Sequence, residues 1–173
     1  AVRLYHDNVL AKQAGCGRTP WHFDDHHFPL DTNDVVTAWV PAQPTPIDMG
    51  PLSFAYPLNV HELVNAVTFE KTGTGYDRGV SEVFKKNGVT VNETPFELGE
   101  VSFHHNLNFH TASQNRTSRS RVALANTYFR DGARVINNPT MVSGDWQKFM
   151  PNIRPGDVAA SPLNPICWPV DDK

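Results

Sequence analysis

Residues 21–29 read WHFDDHHFP, three histidines and two aspartates in nine positions between a tryptophan and a proline. His22 and Asp24 are two residues apart, so on extended backbone their side chains leave the same face. An imidazole and a carboxylate are thereby aimed at one point. A histidine from a distant segment would complete a two-histidine, one-carboxylate set, which holds Fe(II) on one side and leaves the opposite positions open for substrate and O2. The stretch FHHNLNFH at 103–110 offers His104, His105 and His110, and spacing does not choose among them. A bare His-x-Asp pair also occurs in surface turns, so the downstream residues matter.

After His110 comes the polar stretch TASQNRTSRS, and then Arg121 opens the apolar run RVALANTYF. If the two flanking strands pair antiparallel around that loop, Arg121 returns beside His110 with its guanidinium pointing inward. A buried arginine seeks a carboxylate that can accept two hydrogen bonds. None lies near it in sequence, and a small dicarboxylate cosubstrate would serve.

These residues need a strand-rich frame. VVTAWVPA (35–42), PLSFAYP (51–57), GVTVNE (88–93), EVSFHHNLNF (100–109) and RVALANTYF (121–129) have strand length and β-branched or aromatic content, with fourteen prolines and eleven glycines as punctuation. The pattern predicts a sandwich or barrel. Helical spacing is predicted over 60–70 and 77–88, with Gly88 closing the second. This middle region reads either as an excursion over one end of a barrel, where loops carry substrate contacts, or as a plain surface insertion. The proline-rich tail is expected to run extended along the outside, ending in a frayed charged terminus.

A chain of 173 residues suffices for one domain, so 1–173 reads as a single unit. The net charge of −3, without runs of like charge, argues against a nucleic-acid partner. No apolar stretch reaches the ~20 residues that span a bilayer, and no signal pattern opens the chain; a soluble, cytoplasmic protein is expected. Cys16 and Cys167 match neither a disulfide framework nor a zinc ribbon and read as reduced thiols.

The segments WHFDDHHFP, VVTAW, MGPLSF and GEVSFHHNLNFHTASQNRTSRSRVAL together resemble the phytanoyl-CoA dioxygenase family of Fe(II)- and 2-oxoglutarate-dependent oxygenases. The resemblance runs from about Arg3 to SPLNPICW. It implies a mainly β fold, a double-stranded β-helix or cupin-like jelly-roll barrel with a few short helices. It also implies that His22, Asp24 and His110 bind iron, that Arg121 holds the distal carboxylate of 2-oxoglutarate, and that Trp39 lines the cosubstrate pocket. The implied partners are 2-oxoglutarate, O2 and a small-molecule substrate, with succinate and CO2 released. Because Asp24 keeps the carboxylate that related halogenases lack, hydroxylation is expected over halogenation. Members of the family usually carry a further segment before VRLYHDNVLAK, so this chain looks short at its N-terminus.

Lys12 reads as a solvated strand end, with a cosubstrate contact as the alternative. Asp25, His26, His27, His104 and His105 read first as solvent-facing or hydrogen-bonded structural residues, and AYPLNVHE puts any role for His61 in doubt. One of His26, His27 or His105 facing substrate is the alternative. Two other functions fit the same residues: a zinc hydrolase using the His/Asp/His set, and a non-catalytic jelly-roll binding module. Arg121 discriminates against the first, which has no need of it.

Overall fold

In chain order the strands are β1 (Val2–Lys12), β2 (Thr19–His22), β3 (Val35–Pro41), β4 (Leu52–Tyr56), β5 (Thr90–Glu93), β6 (Ser102–His105), β7 (His110–Ala112), β8 (Arg121–Arg130) and β9 (Ile166–Trp168); two helices, α1 (Val60–Leu63) and α2 (Gly75–Asn87), lie between β4 and β5. This computed structural model describes residues 1–69 and 74–169. The strands form a five-stranded sheet, order β6-β3-β8-β1-β9, and a four-stranded sheet, order β2-β7-β4-β5. All pairings within the two sheets are antiparallel, and the fold is the jelly-roll barrel of cupin-like proteins.

Strand β8 shows why these residues choose this frame. Arg121, Ala123, Ala125, Thr127 and Phe129 are buried in strict alternation, while Leu124 and Arg130 are exposed. Its small inward residues leave a cavity between the sheets instead of a solid core. Neither β1 nor β2 stands out in the sequence, because β1 breaks its own alternation: the register with β8 shifts between Leu4 and His6, leaving Tyr5 as an extra residue. Such a bulge re-aims side chains, and both Tyr5 and His6 line the interior cavity.

Two expectations about pairing are corrected. The run 100–109 is not one strand. Within it only Ser102–His105 is a strand, β6, and β7 begins just after the run at His110, in the opposite sheet. Asn106 forces the division by making turn contacts in place of ladder ones: its carbonyl accepts from the backbone N–H groups of Asp24 (2.8 Å) and Asp25 (3.2 Å), and its amide donates to Asp25 Oδ1 (2.8 Å). Likewise β7 and β8 do not form a hairpin. β7 pairs with β2 and β4, and β8 with β1 and β3, so Arg121 and His110 approach the interior from opposite walls.

The helical region also differs. Only Val60–Leu63 of the predicted 60–70 helix is helical; Val64 and Val67 continue as tight turns, with Val64 still buried. α2 ends where Gly88 adopts φ 64°, as its sequence position suggests. Residues 70–73 of the predicted connector, and the charged end of the tail at 170–173, lie outside the described residues. Among the described residues, α1 and α2 supply nothing to the interior cavity. They cover the outer face of the four-stranded sheet, where Tyr76 and Val80 pack with Ala55 and Phe109, and the Tyr76 hydroxyl donates to the Trp21 carbonyl (2.8 Å). Trp21 stacks on Phe109 at 5.5 Å between centroids, and this packing fixes the two strands that present His22 and His110. The insertion therefore supports the inner face from behind.

Cys16 and Cys167 are free and exposed. The tail returns as β9 on the edge of β1. Among the described residues no helix is long and apolar enough to cross a membrane.

Candidate active site

His22 ends β2, His110 begins β7, and the two are partners in register, so their rings lie 4.2 Å apart between centroids. Each Nδ1 sits against a backbone carbonyl two residues upstream: Pro20 O at 2.8 Å for His22 and Asn108 O at 2.9 Å for His110. A carbonyl can only accept, so each Nδ1 carries the proton and each Nε2 keeps a free lone pair. Asp24 Oδ1 lies 3.6 Å from Nε2 of His22 and 3.9 Å from Nε2 of His110. The ligand atoms of His22, Asp24 and His110 all fall within 4.8 Å of one another, close enough to share one metal ion.

The other polar residues of the motif separate clearly. His104 is buried beside the cluster. His105 points to the other side of β6, where the Leu107 N–H donates to it. Asp25 is held by Asn106, and His26 packs on Phe23. Of the histidines weighed as substrate contacts, His27 reaches the cavity, with Nδ1 3.2 Å from the Val142 carbonyl. His61 is bound to Leu58 O, away from the cavity.

Burial drives the electrostatics. It pushes the His22 imidazole down to about 4, helped by His110, and the His104 imidazole down to about 3, again helped by His110. Burial alone would raise the Asp24 carboxyl, but the imidazoles of His110, His22 and His104 outweigh it and hold the group below the usual carboxylate range. At neutral pH the Asp24 carboxylate stands beside neutral His22 and His104 imidazoles, an arrangement suited to a divalent cation.

A pH dependence follows. In the unfolded chain His22 and His104 protonate near 6.5, whereas in the folded protein they resist protonation until about 4 and about 3. Between those values the unfolded state binds more protons, so stability is fully present above about 6.5 and is lost as pH falls toward 4. Thermal melts of the metal-free protein are expected to show a falling Tm across this window, and a flat Tm would contradict the assignment of neutral buried imidazoles.

Two buried cations stand side by side, and one of them, Arg121, lines the cavity. Arg121 is 5% exposed, donates from Nη1 to the Gly50 carbonyl (2.6 Å), lies 5.2 Å over the Trp39 ring and leaves Nε buried without a partner. Trp39, as expected, lines the same space and packs edge-on against Phe96. Lys12 is the register partner of Arg121 across β1 and β8. It is 6% exposed, with Nζ 3.3 Å from both Thr19 Oγ1 and the Ala112 carbonyl. The expectation of a solvated strand end is therefore wrong: the lysine faces inward, where burial and then Arg121 push it down to about 8. Among the described residues neither cation has a carboxylate partner. Two adjacent buried positive charges are unfavourable unless an anion joins them.

Gly50 explains how Arg121 is held. It lies in the left-handed region (φ 73°, ψ 66°), and a Cβ there would stand 2.2 Å from the Ser113 carbonyl oxygen. Gly50→Ala is expected to cost about 2 kcal/mol or more of stability and to weaken anion binding at Arg121. Chemical denaturation together with ligand titration checks it; unchanged values would contradict it.

The whole cavity measures about 440 Å³. Tyr5, His6, Phe28 and Phe149 also line it, none of which the sequence marks out. The only local signal is the unpaired Tyr5 of the β1 bulge, which shows only once pairing is known.

Residues 1–123 match the family model described as phytanoyl-CoA dioxygenase (PhyH). The chain belongs to the phytanoyl-CoA dioxygenase family. No curated protein matches it in sequence. Among solved structures, this family member is similar to the non-heme alpha-ketoglutarate-dependent carbocyclase SnoK from nogalamycin biosynthesis, with a TM-score of 0.72 and 23% identity over 95% of this chain and 61% of that one. It is also similar to the epimerase SnoN in complex with Fe3+, alpha-ketoglutarate and nogalamycin RO, with a TM-score of 0.71 and 24% identity over 95% of this chain and 64% of that one. The non-heme monooxygenase ThoJ is a more distant match, with a TM-score of 0.54 and 17% identity over 92% and 58% of the respective chains. The present chain thus spans about three-fifths of the length of these structures.

Proposed function

We propose that this member of the family is an Fe(II)- and 2-oxoglutarate-dependent oxygenase that hydroxylates a small molecule. In this reading His22, Asp24 and His110 hold the iron, and Arg121 and Lys12 take the distal carboxylate of 2-oxoglutarate. One observation carries it: a convergent His/Asp/His donor set shares a cavity with the buried Arg121, beside which Lys12 is buried too, and among the described residues neither cation has a carboxylate partner. The donor set fits the metal because both Nε2 lone pairs and a carboxylate oxygen are presented together, and the far wall fits a dicarboxylate because Arg121 retains an unpartnered N–H.

Iron with 2-oxoglutarate and O2 supplies an oxidant able to break a C–H bond, with succinate and CO2 released. The chain supplies placement. Nδ1–H bonds to Pro20 and Asn108 hold the imidazoles in the tautomer that leaves Nε2 free. Trp39 stacks beneath the guanidinium and keeps water from it. Tyr5, His6, Phe28 and Phe149 form the wall available to substrate. Among the described residues Arg121 is the one Lys or Arg side chain lining the cavity, so phosphate-bearing thioesters find no further cation there, and an uncharged ring-bearing substrate fits better. Asp24 occupies the position a halide would need, which favours hydroxylation over halogenation. The carbocyclase, epimerase and monooxygenase among similar structures do not contradict this choice but do not select it.

A zinc hydrolase would have no use for Arg121 and Lys12, and a non-catalytic module would bind without turnover. The distinguishing experiment measures succinate formed from 2-oxoglutarate in air with Fe(II) or Zn(II) supplied. Iron-dependent succinate is expected even without the natural substrate, through slow uncoupled turnover. Binding of Zn(II) with no conversion under either metal would contradict the proposal.

A further inference from the structure

Asp24 turns its two oxygens to different neighbours. Oδ1 is the atom near His22 and His110, whereas Oδ2 lies 3.8 Å from Nε2 of His104. His104 comes from β6, in the sheet opposite the one that carries His22 and His110. It is 5% exposed, and its ring is wedged against Phe54 and His110, with centroids 5.3 and 5.0 Å away. Its Nδ1 stands 3.5 Å from Ser102 Oγ. A hydroxyl that donates to Nδ1 leaves the imidazole proton on Nε2, facing the carboxylate. The Asp24 main chain is tied to the same region, since its N–H donates to the Asn106 carbonyl just after β6.

We propose that His104 is a positioning residue whose Nε2–H holds Asp24 Oδ2, so that Asp24 meets the metal through Oδ1 alone. The proposal rests on the reading of His22, Asp24 and His110 as the metal ligands. A carboxylate free to turn can chelate a cation with both oxygens and take an extra coordination position. Held by one oxygen, it leaves the face opposite the three ligands open, as a bidentate cosubstrate and O2 require. The 3.8 Å separation closes to a hydrogen bond by a small rotation of the carboxylate as Oδ1 turns to the metal. Partners of this kind are worth about 10–100-fold in metal affinity.

The test is titration of metal-free protein with Co(II), whose visible absorption reports both affinity and coordination, using wild type, His104→Phe, His104→Gln and Ser102→Ala. His104→Phe keeps an aromatic ring beside Phe54 but loses the donor, and is expected to bind Co(II) about 10–100-fold more weakly with an altered spectrum. His104→Gln keeps an N–H and is expected to recover most of the affinity. Ser102→Ala releases the tautomer and is expected to weaken binding by roughly twofold or more; it decides the question if His104→Phe does not fold. Wild-type affinity in His104→Phe, or in Ser102→Ala, overturns the role, as does a His104→Gln variant as weak as His104→Phe, which would reduce His104 to packing. A wild-type protein that takes up no Co(II) overturns the metal reading itself, so the two failures are distinguishable.

Discussion

Asp24→Ala is expected to abolish 2-oxoglutarate-dependent oxidation while the chain stays folded. The side chain supplies the only negative charge in the donor set, and without it a divalent cation would meet two neutral imidazoles. The fold does not depend on that charge. The Asp24 backbone N–H keeps its bond to Asn106, and His22 and His110 keep their Nδ1 bonds to carbonyls. Circular dichroism should match wild type while iron uptake and succinate formation disappear. Turnover at the wild-type level would remove Asp24 from the ligand set.

Arg121→Ala is expected to weaken 2-oxoglutarate by about 3 kcal/mol or more, a hundredfold or greater, because it removes a bidentate partner from a carboxylate in a largely dry pocket. Lys12 remains as a point charge and accounts for the residual binding. Iron affinity should change little, since Arg121 stands on the opposite sheet from His22 and His110. Arg121→Lys should rescue only partly, because an ammonium cannot reproduce the planar fork. Separate titrations with Fe(II) and with 2-oxoglutarate check this. Equal weakening of both would make Arg121 a structural residue.

Much of this site is legible in the residues, and the remainder is hidden for identifiable reasons. His22 and Asp24 are readable as a pair from their spacing of two, although β2 ends at His22 and Asp24 itself stands in helical backbone at the start of a 3-10 turn. Arg121 is readable as inward because it opens a strand of strict alternation. Its neighbours are not: the pairing of β8 with β1 instead of β7 is a long-range choice that local pattern does not encode. The same choice hides Lys12, whose burial follows only from lying opposite Arg121. The choice among His104, His105 and His110 could not come from spacing, since the chain crosses from one sheet to the other between β6 and β7 in a turn that Asn106 holds. The helix at 60–70 fails after one turn because Val64 and Val67 satisfy their burial equally well from turns. The β1 bulge leaves no pattern at all, and with it the aromatic wall around Tyr5 and His6 goes unseen.

The central claim is that one cavity binds iron and 2-oxoglutarate together. It is tested most directly by anaerobic titration of the metal-free protein with Fe(II) and then 2-oxoglutarate, followed by visible absorption. The account predicts a weak charge-transfer band that saturates with 2-oxoglutarate, is absent in Asp24→Ala and needs much more cosubstrate in Arg121→Ala. A folded wild-type protein that takes up iron but never develops the band would contradict it.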